Sequence, residues 1–353
     1  MDKPVLNFTN AGVRWRVFEK EALEKHFGPT IDVNIPFKDT RQEQIFDRWA
    51  EQCEYATWRP NTEMTKDADV QWMVEMEERL GLKNFNSPKN FYKYHAKDEA
   101  FKVWEKEGIP VPPYFMFASM TEFREKIDTL QFPVILRINN ACAAEGSYFC
   151  KTRGEADRFA ALVTRDQILA SAKFSHTKMM CVQYINTNKE GMLATKGYNS
   201  SYRVIVAGDK VVTGYARLSD PADWVAITGK FTPDMGKDFV KANAECEEFI
   251  KTNEEQIVKA VHSLGLNHQG VDIIRDTDGN PYYLEVQPGY STGYGNDEAW
   301  QIPYYNPSYP ELVKFLTGNE STLKKEIPLY VNYWLDKERL FDTVYSNLKE
   351  HLA

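Results

Sequence analysis

Hydrophobic residues recur along this chain with two different periods, and the periods predict where helices and strands fall. Apolar positions return every three or four residues over 18–26 and 41–55, where Ile45, Trp49 and Cys53 share one helical face. Asp69 stands where it would cap a third helix carrying Trp72, Val74, Met76 and Leu80 and ending at Gly81. Further helices are expected over 89–107, from a Thr121 cap through 130, and over 153–170, 236–264 and 336–351. Shorter apolar runs predict strands at 3–9, 114–118, 132–138 (FPVILRI), 148–151 and 178–185 (KMMCVQYI). Two more, SYRVIVAG and KVVTGYARLS, meet at Gly208 and Asp209, a hairpin signal. Residues 108–113 (GIPVPP) stop a helix and force extended chain.

The sharpest local signal is Gly270 to Gly289, GVDIIRDTDGNPYYLEVQPG. Two apolar runs flank Asp278 and Gly279, the residue pair that favours a two-residue hairpin loop. With those two in the loop, Thr277 and Asn280 close the turn and Asp272 lies opposite Glu285. Gln287 shares their face and looks across to Gly270. Two carboxylates directly opposed, with Cβ atoms roughly 4.5–5.5 Å apart, destabilise a sheet unless something positive sits between them. The hairpin alone admits two readings: a solvated acidic face, or an oxygen-only site suited to Mg²⁺.

Composition narrows the classes. With 353 residues there is room for two or three modules around a substantial core. The 42% hydrophobic and 27% charged content is that of an ordinary globular chain. Fifty-one acids against 43 bases give a net charge of −8, which argues against a general nucleic-acid binder or an anionic-membrane protein. No run approaches the ~20 apolar residues of a membrane span, and the N-terminus lacks a signal-peptide core, so a cytoplasmic setting is expected. Cysteines 53, 142, 150, 181 and 246 fit neither a disulfide framework nor a zinc spacing. Histidines 26, 95, 176, 262, 268 and 351 show no HxxxH or HxxE spacing and read as mostly surface residues. Strands and helices alternate, but the Gly-Asp and Asp-Gly turns mark antiparallel pairs, so the class is α+β.

From Asn86 to Tyr290 the chain resembles the ATP-grasp superfamily, in particular carboxylate–amine ligases of the D-alanine–D-alanine and RimK-like kinds. The resemblance rests on Asp272 and Glu285, thirteen residues apart, and on the Glu285-Val-Gln-Pro-Gly289 motif, where Gln287 stands in place of the usual asparagine. It implies an ATP-grasp fold, two α+β subdomains clamping ATP, with Mg²⁺ on the larger. The division it suggests is an N-terminal α/β pre-ATP-grasp module (1–88), a small subdomain (89–185), and a large metal-bearing subdomain with the C-terminal helix (186–353).

The same resemblance implies roles. Asp272, Glu285 and Gln287 would hold Mg²⁺. Lys97 would approach the ATP phosphates, and Arg137 stands where the family has a second lysine. Ser147 ends the loop 139–147, the counterpart of a phosphate flap, which here has one glycine. Gln183, with the backbone of Tyr184 and Ile185, would meet adenine, and Glu190 the ribose. Arg203 and Arg217 match two arginines on the sheet floor that hold carboxylate or phosphate. A two-residue turn at Gly208 and Asp209 would set Arg203 opposite Gly214 and Arg217 opposite Ser200, leaving neither facing an acid. The implied reaction activates a substrate carboxylate as an acyl phosphate and joins it to an amine, an amino acid or peptide being the expected substrates. A homodimer is compatible with this. An ATP-grasp-type kinase and a nucleotide-binding pseudo-enzyme are the alternatives. Residues 290–309, rich in tyrosine and proline, would line a substrate pocket or pack on their own rings.

Overall fold

The computed structural model describes residues 3–10, 17–35, 47–59, 67–139, 147–170, 179–191, 196–221, 223–224, 231–287 and 309–353. Their strands form three four-stranded sheets. In the first, β1 (Val5–Asn10), β2 (Thr30–Ile35), β3 (Tyr55–Arg59) and β4 (Lys83–Asn84) run parallel in the order β2-β1-β3-β4. Parallel neighbours need crossovers, and the helix Val17–Phe27 supplies the first. The Phe8 and Trp58 rings stack at 4.1 Å and lie in one cluster with Met73 and Met76 of the helix Asp67–Leu80. The helix expected over 41–55 is cut short: its described part, 47–50, ends well before β3 begins at Tyr55. Tyr55 and Trp58 are better placed on a pleated surface between two neighbours, and that pairing overrides the helical spacing.

The second sheet is antiparallel throughout. It holds β5 (Tyr114–Phe117), β6 (Val134–Ile138), β7 (Ser147–Cys150) and β8 (Met179–Gln183) in the order β5-β8-β6-β7. Helices Met120–Lys126 and Arg153–Ala170 cover it through Phe123, Ala156, Ala160 and Val163. The first of these is capped by Ser119, not Thr121. Its hydroxyl accepts from the Glu122 N–H at 3.2 Å, while the Glu122 carboxylate accepts from the Ala118 N–H at 2.8 Å.

The third sheet carries the longest strands. β9 (Asn199–Ala207), β10 (Lys210–Ser219), β11 (His268–Arg275) and β12 (Pro281–Gln287) run antiparallel in the order β10-β9-β11-β12. One face packs Val204, Val206, Val271 and Ile273 into a cluster with Ile250, Ile257 and Val261 of the helix Gly236–His262. The other face is apolar at one end, where Ile205, Ala207 and Tyr215 join a core shared with the C-terminal helix Lys337–Leu352. At its other end that face is ionic.

The run expected as one helix over 89–107 is two helices, Pro88–His95 and Lys97–Lys106, parted by Ala96 in an extended conformation. Phe101 and Trp104 of the second belong to the core of the third sheet, and the Trp104 indole donates to the Ala260 carbonyl at 2.8 Å. The same cluster takes in Met180 and Val182 of the second sheet, and the Phe101 ring meets Tyr114 edge-on at 5.0 Å, so these helices pack against both sheets. The smaller sheet begins at Tyr114. Among the described residues no helix is long and apolar enough to cross a membrane.

Candidate functional site

The β11–β12 hairpin places Asp272 opposite Glu285 and Gly270 opposite Gln287. The turn that achieves this differs from the two-residue loop expected. Arg275 pairs with Pro281, so the loop runs from Asp276 to Asn280. Asp276 organises it: its carboxylate accepts from the N–H groups of Asp278 (3.0 Å) and Asn280 (2.8 Å) and from the Asn280 amide (2.9 Å). Gly279 turns the chain back at φ +92°, where other residues are strained. This wider loop shifts the pairing by one, which alone would put Glu285 on the wrong face. A bulge at Leu284 removes the shift, because Ile273 pairs with Tyr283 while Asp272 pairs with Glu285.

Asp272 and Glu285 share a face, yet each is met by its own cations. Arg203 grips Asp272 by two hydrogen bonds, Nε to Oδ1 at 2.7 Å and Nη2 to Oδ2 at 2.8 Å. Arg217 Nη2 reaches Oδ2 at 3.0 Å, and its Nε donates to the Ser201 hydroxyl at 3.0 Å. The expectation that neither arginine meets an acid is therefore overturned. A bulge at Val212 moves the β9–β10 register by one, so Arg203 faces Tyr215 and Arg217 faces Ser201. The acid arrives from the other neighbour, since Asp272 pairs with Arg203 across β9 and β11. That adjacency depends on strand order, which no local pattern encodes.

Lys97 Nζ lies 2.7 Å from Glu285 Oε2, and the Gln287 amide donates to the other carboxylate oxygen. Burial pushes the Glu285 pKa up, but Lys97, Arg137 and Arg203 outweigh it and hold the carboxyl well below the usual carboxylate range. Burial likewise works against the charged form of Arg203, and Asp272 more than offsets it, so its pKa is raised. Arg137 stands on β6 of the second sheet, paired with Ser147 on β7, and its charge still reaches Glu285 on the third. The Ser147 hydroxyl is buried and has no hydrogen-bond partner among the described residues. Four cationic side chains from two sheets and one helix thus converge on two carboxylates. The excess of positive charge in a confined place suits a polyanionic ligand.

Asp98 and Asn139, which carry no motif or spacing signal, hold this site together. Asp98 is 1% exposed. Its backbone N–H donates to Asn139 Oδ1 at 3.1 Å, and the Asn139 amide donates back to its carboxylate. This reciprocal link ties the residue after Lys97 to the end of the strand bearing Arg137. Lys102, one helical turn on, neutralises Asp98 at 2.8 Å.

The residues assigned to adenine and ribose have hydrogen-bond and packing partners of their own. Gln183 Oε1 accepts from the Gln131 N–H at 3.2 Å, and the Tyr184 N–H donates to the Pro133 carbonyl at 3.0 Å. Burial pushes the Tyr184 phenol up to about 12. Its ring meets Phe149 edge-on at 5.0 Å, and Phe149 stacks on Trp224 at 5.9 Å, an aromatic bridge from the second sheet to the chain beyond β10. Ile185 is buried and Glu190 exposed. Residues 140–146 of the flap, Pro288, Gly289 and the aromatic segment to 308 lie outside the described residues.

A family model described as the RimK-like ATP-grasp domain matches residues 95–295, more than half of the chain and the whole of this ionic site. The chain belongs to the RimK-like ATP-grasp family. Solved ATP-grasp structures share its fold at low identity. The ADP complex of purK, an N5-carboxyaminoimidazole ribonucleotide synthetase, superposes with a TM-score of 0.52 at 14% identity, covering 84% of this chain and 73% of that one. The ATP-grasp ligase PsnB, complexed with a phosphomimetic variant of its minimal precursor, Mg and ADP, gives 0.51 at 12% identity over 100% of both chains. The biotin carboxylase domain of Hydrogenobacter thermophilus 2-oxoglutarate carboxylase, with MgADP and bicarbonate, gives 0.53 at 15% identity, covering 82% of this chain and 65% of that one. The α+β class and the ATP-grasp fold expected from the resemblance are thereby established for this RimK-like chain.

Proposed function

We propose that the chain is an ATP- and Mg²⁺-dependent carboxylate–amine ligase that forms ADP and phosphate. The observation that carries this reading is the convergence of Lys97, Arg137, Arg203 and Arg217 on Asp272 and Glu285 where the two sheets meet. The donor chemistry fits Mg²⁺, which takes hard oxygens held in ionised form. All three expected ligands already carry contacts, both oxygens of Asp272 to guanidinium groups and those of Glu285 to the Lys97 ammonium and the Gln287 amide, so Mg²⁺ would take the place of some of these donors. Asp272 then also serves as the anchor that fixes two arginines in a sheet. When bound, Mg²⁺ would neutralise phosphate charge and polarise the phosphoryl oxygens.

The residues of the chain supply positioning and electrostatics. Lys97, from the helix Lys97–Lys106, and Arg137, from β6, both act on Glu285 and would offset charge on the transferred phosphoryl group. Arg203 and Arg217 would present their remaining N–H groups to the substrate carboxylate. A carboxylate oxygen attacks the γ-phosphorus, the bond to the bridging oxygen breaks, and ADP leaves. The amine nitrogen then attacks the acyl carbon, the carbon–oxygen bond breaks, phosphate departs and the nitrogen loses a proton. An amino acid or peptide is the substrate class inferred from the resemblance.

The experiment is turnover of ATP and Mg²⁺ with a panel of amino acids and short peptides, measuring ADP and free phosphate separately and trapping acyl phosphate with hydroxylamine. Equal ADP and phosphate with hydroxamate formed is the expected result. ADP without free phosphate would favour a kinase, and no Mg²⁺-dependent turnover across the panel would sink the ligase reading.

A further inference from the structure

Far from the ionic cleft, at the opposite end of the third sheet, three residues scattered in the sequence come together. Asp209 sits in the β9–β10 turn, His262 in the last turn of the helix Gly236–His262, and His351 in the last turn of the helix Lys337–Leu352. One ligand atom from each lies within 4.8 Å of the other two. His351 Nδ1 is 3.0 Å from Asp209 Oδ2, and His262 Nδ1 is 3.8 Å from Oδ1.

The outer nitrogens are committed. His262 Nε2 faces the Gly208 carbonyl at 3.1 Å, and His351 Nε2 faces Asn267 Oδ1 at 3.2 Å. Both partners are acceptors, so each Nε2 carries the hydrogen and each Nδ1 directs a lone pair at the same carboxylate. Lone pairs facing carboxylate oxygens repel unless a positive charge lies between them. One proton on His351 Nδ1 would satisfy its 3.0 Å contact but leave the His262 Nδ1 lone pair facing Oδ1 at 3.8 Å, and a second would make two imidazolium rings stacked at 5.2 Å, which repel each other. One divalent cation meets all three ligands without that conflict. Imidazoles whose second nitrogen donates to a carbonyl are the usual arrangement at a metal, since that bond sets tautomer and ring orientation. Two helix C-termini also converge here, and their carbonyl ends favour a cation.

We propose that Asp209, His262 and His351 form a binding site for a divalent transition ion, with Zn²⁺ the ion that two imidazoles, one carboxylate and a water suit. Imidazole nitrogens distinguish it from the all-oxygen donor set of the cleft, so Mg²⁺ does not compete. The ion pins the C-terminal helix to the sheet that carries the ionic site, and the assignment is independent of the ligase reading.

The test uses the untagged full chain, stripped with a chelator and dialysed, then titrated with Zn²⁺ against a chromophoric chelator with excess Mg²⁺ present. One tight equivalent is expected, with a rise in melting temperature. Asn267→Ala should weaken binding by about 10- to 100-fold, and His262→Gln or His351→Gln by more. His26→Ala, which leaves the cluster intact, should bind as the unaltered chain does. Far-ultraviolet circular dichroism of each variant checks that it is folded. Absence of a tight equivalent, or glutamine variants that bind as tightly as the unaltered chain, would overturn the proposal and leave a hydrogen-bonded His–Asp cluster.

Discussion

Lys97 and Glu285 show how one pair sets the character of the site. Their side chains are 5% and 23% exposed, so the lysine is desolvated and the carboxylate partly so. Removing one partner of a fully buried pair costs about 3–5 kcal/mol. Glu285 keeps Gln287 and the charge of Arg137, so Lys97→Met should cost less, about 2 kcal/mol. The pH dependence carries a sign. The Glu285 pKa is depressed in the fold, so its contribution is present above the unfolded carboxylate value of about 4.3 and is lost as pH falls below it. In Lys97→Met the depression shrinks, and stability should fall less steeply on acidification. Urea unfolding across that range checks this, and parallel curves for the two proteins would contradict it. Asp272→Asn makes the opposite defect, leaving two buried guanidinium groups without the carboxylate charge they bond, at a cost of about 3 kcal/mol because Glu285 still acts on Arg203. Phosphate or sulfate should recover part of that loss by supplying the missing negative charge. Melting temperatures with and without the anion decide it, and equal anion effects on both proteins would count against an anion site here.

At the scale of elements, the hairpins mark what could be read from the sequence and what could not. Asp272 opposite Glu285 was legible, although the five-residue loop and the Leu284 bulge each departed from expectation and cancelled. At β9–β10 no second departure compensated, so the Val212 bulge left Arg203 opposite Tyr215 instead of Gly214. Bulges add one residue without a compositional mark, and parity along a strand is lost when one is missed. Ala96 is a similar case: the helical pattern continues through it, yet the break there makes Lys97 the first residue of a new helix. The Asp98–Asn139 link joins residues 41 apart and had no signal in either polar stretch. Asn139→Ala should cost about 1–3 kcal/mol, because it removes the acceptor of a buried N–H and one donor to a buried carboxylate that Lys102 still neutralises. It should also loosen two elements at once. Native-state hydrogen exchange should speed up together at the end of β6 and at the start of the helix Lys97–Lys106, and a change confined to one of them would show that the link does not couple them.

The whole molecule is joined by packing between sequence-distant segments, which the local patterns did not reveal. Phe27 and Phe85 of the first module lie in one core with Tyr215 and with Tyr345 of the C-terminal helix. Lys25 and His26 also meet Asp342 at 2.6 and 2.7 Å across that seam. A helix near 336–351 was legible from its apolar spacing, but its place against both the first module and the large sheet was not, because amphipathic pattern fixes a face and not a partner. Leu340, Phe341, Val344, Tyr345 and Leu348 are each at most 3% exposed. At about 1.5–3 kcal/mol for each buried side chain, they contribute on the order of 10 kcal/mol. That is comparable to the roughly 5–15 kcal/mol total stability of a typical domain. A chain ending at Asp336 keeps every residue of the ionic cleft and should still lose its cooperative urea transition, with exposed apolar surface binding a hydrophobic dye. A sharp transition near the full-length midpoint would mean that the site-bearing sheet stands without the helix, and that the shared core is not what holds it.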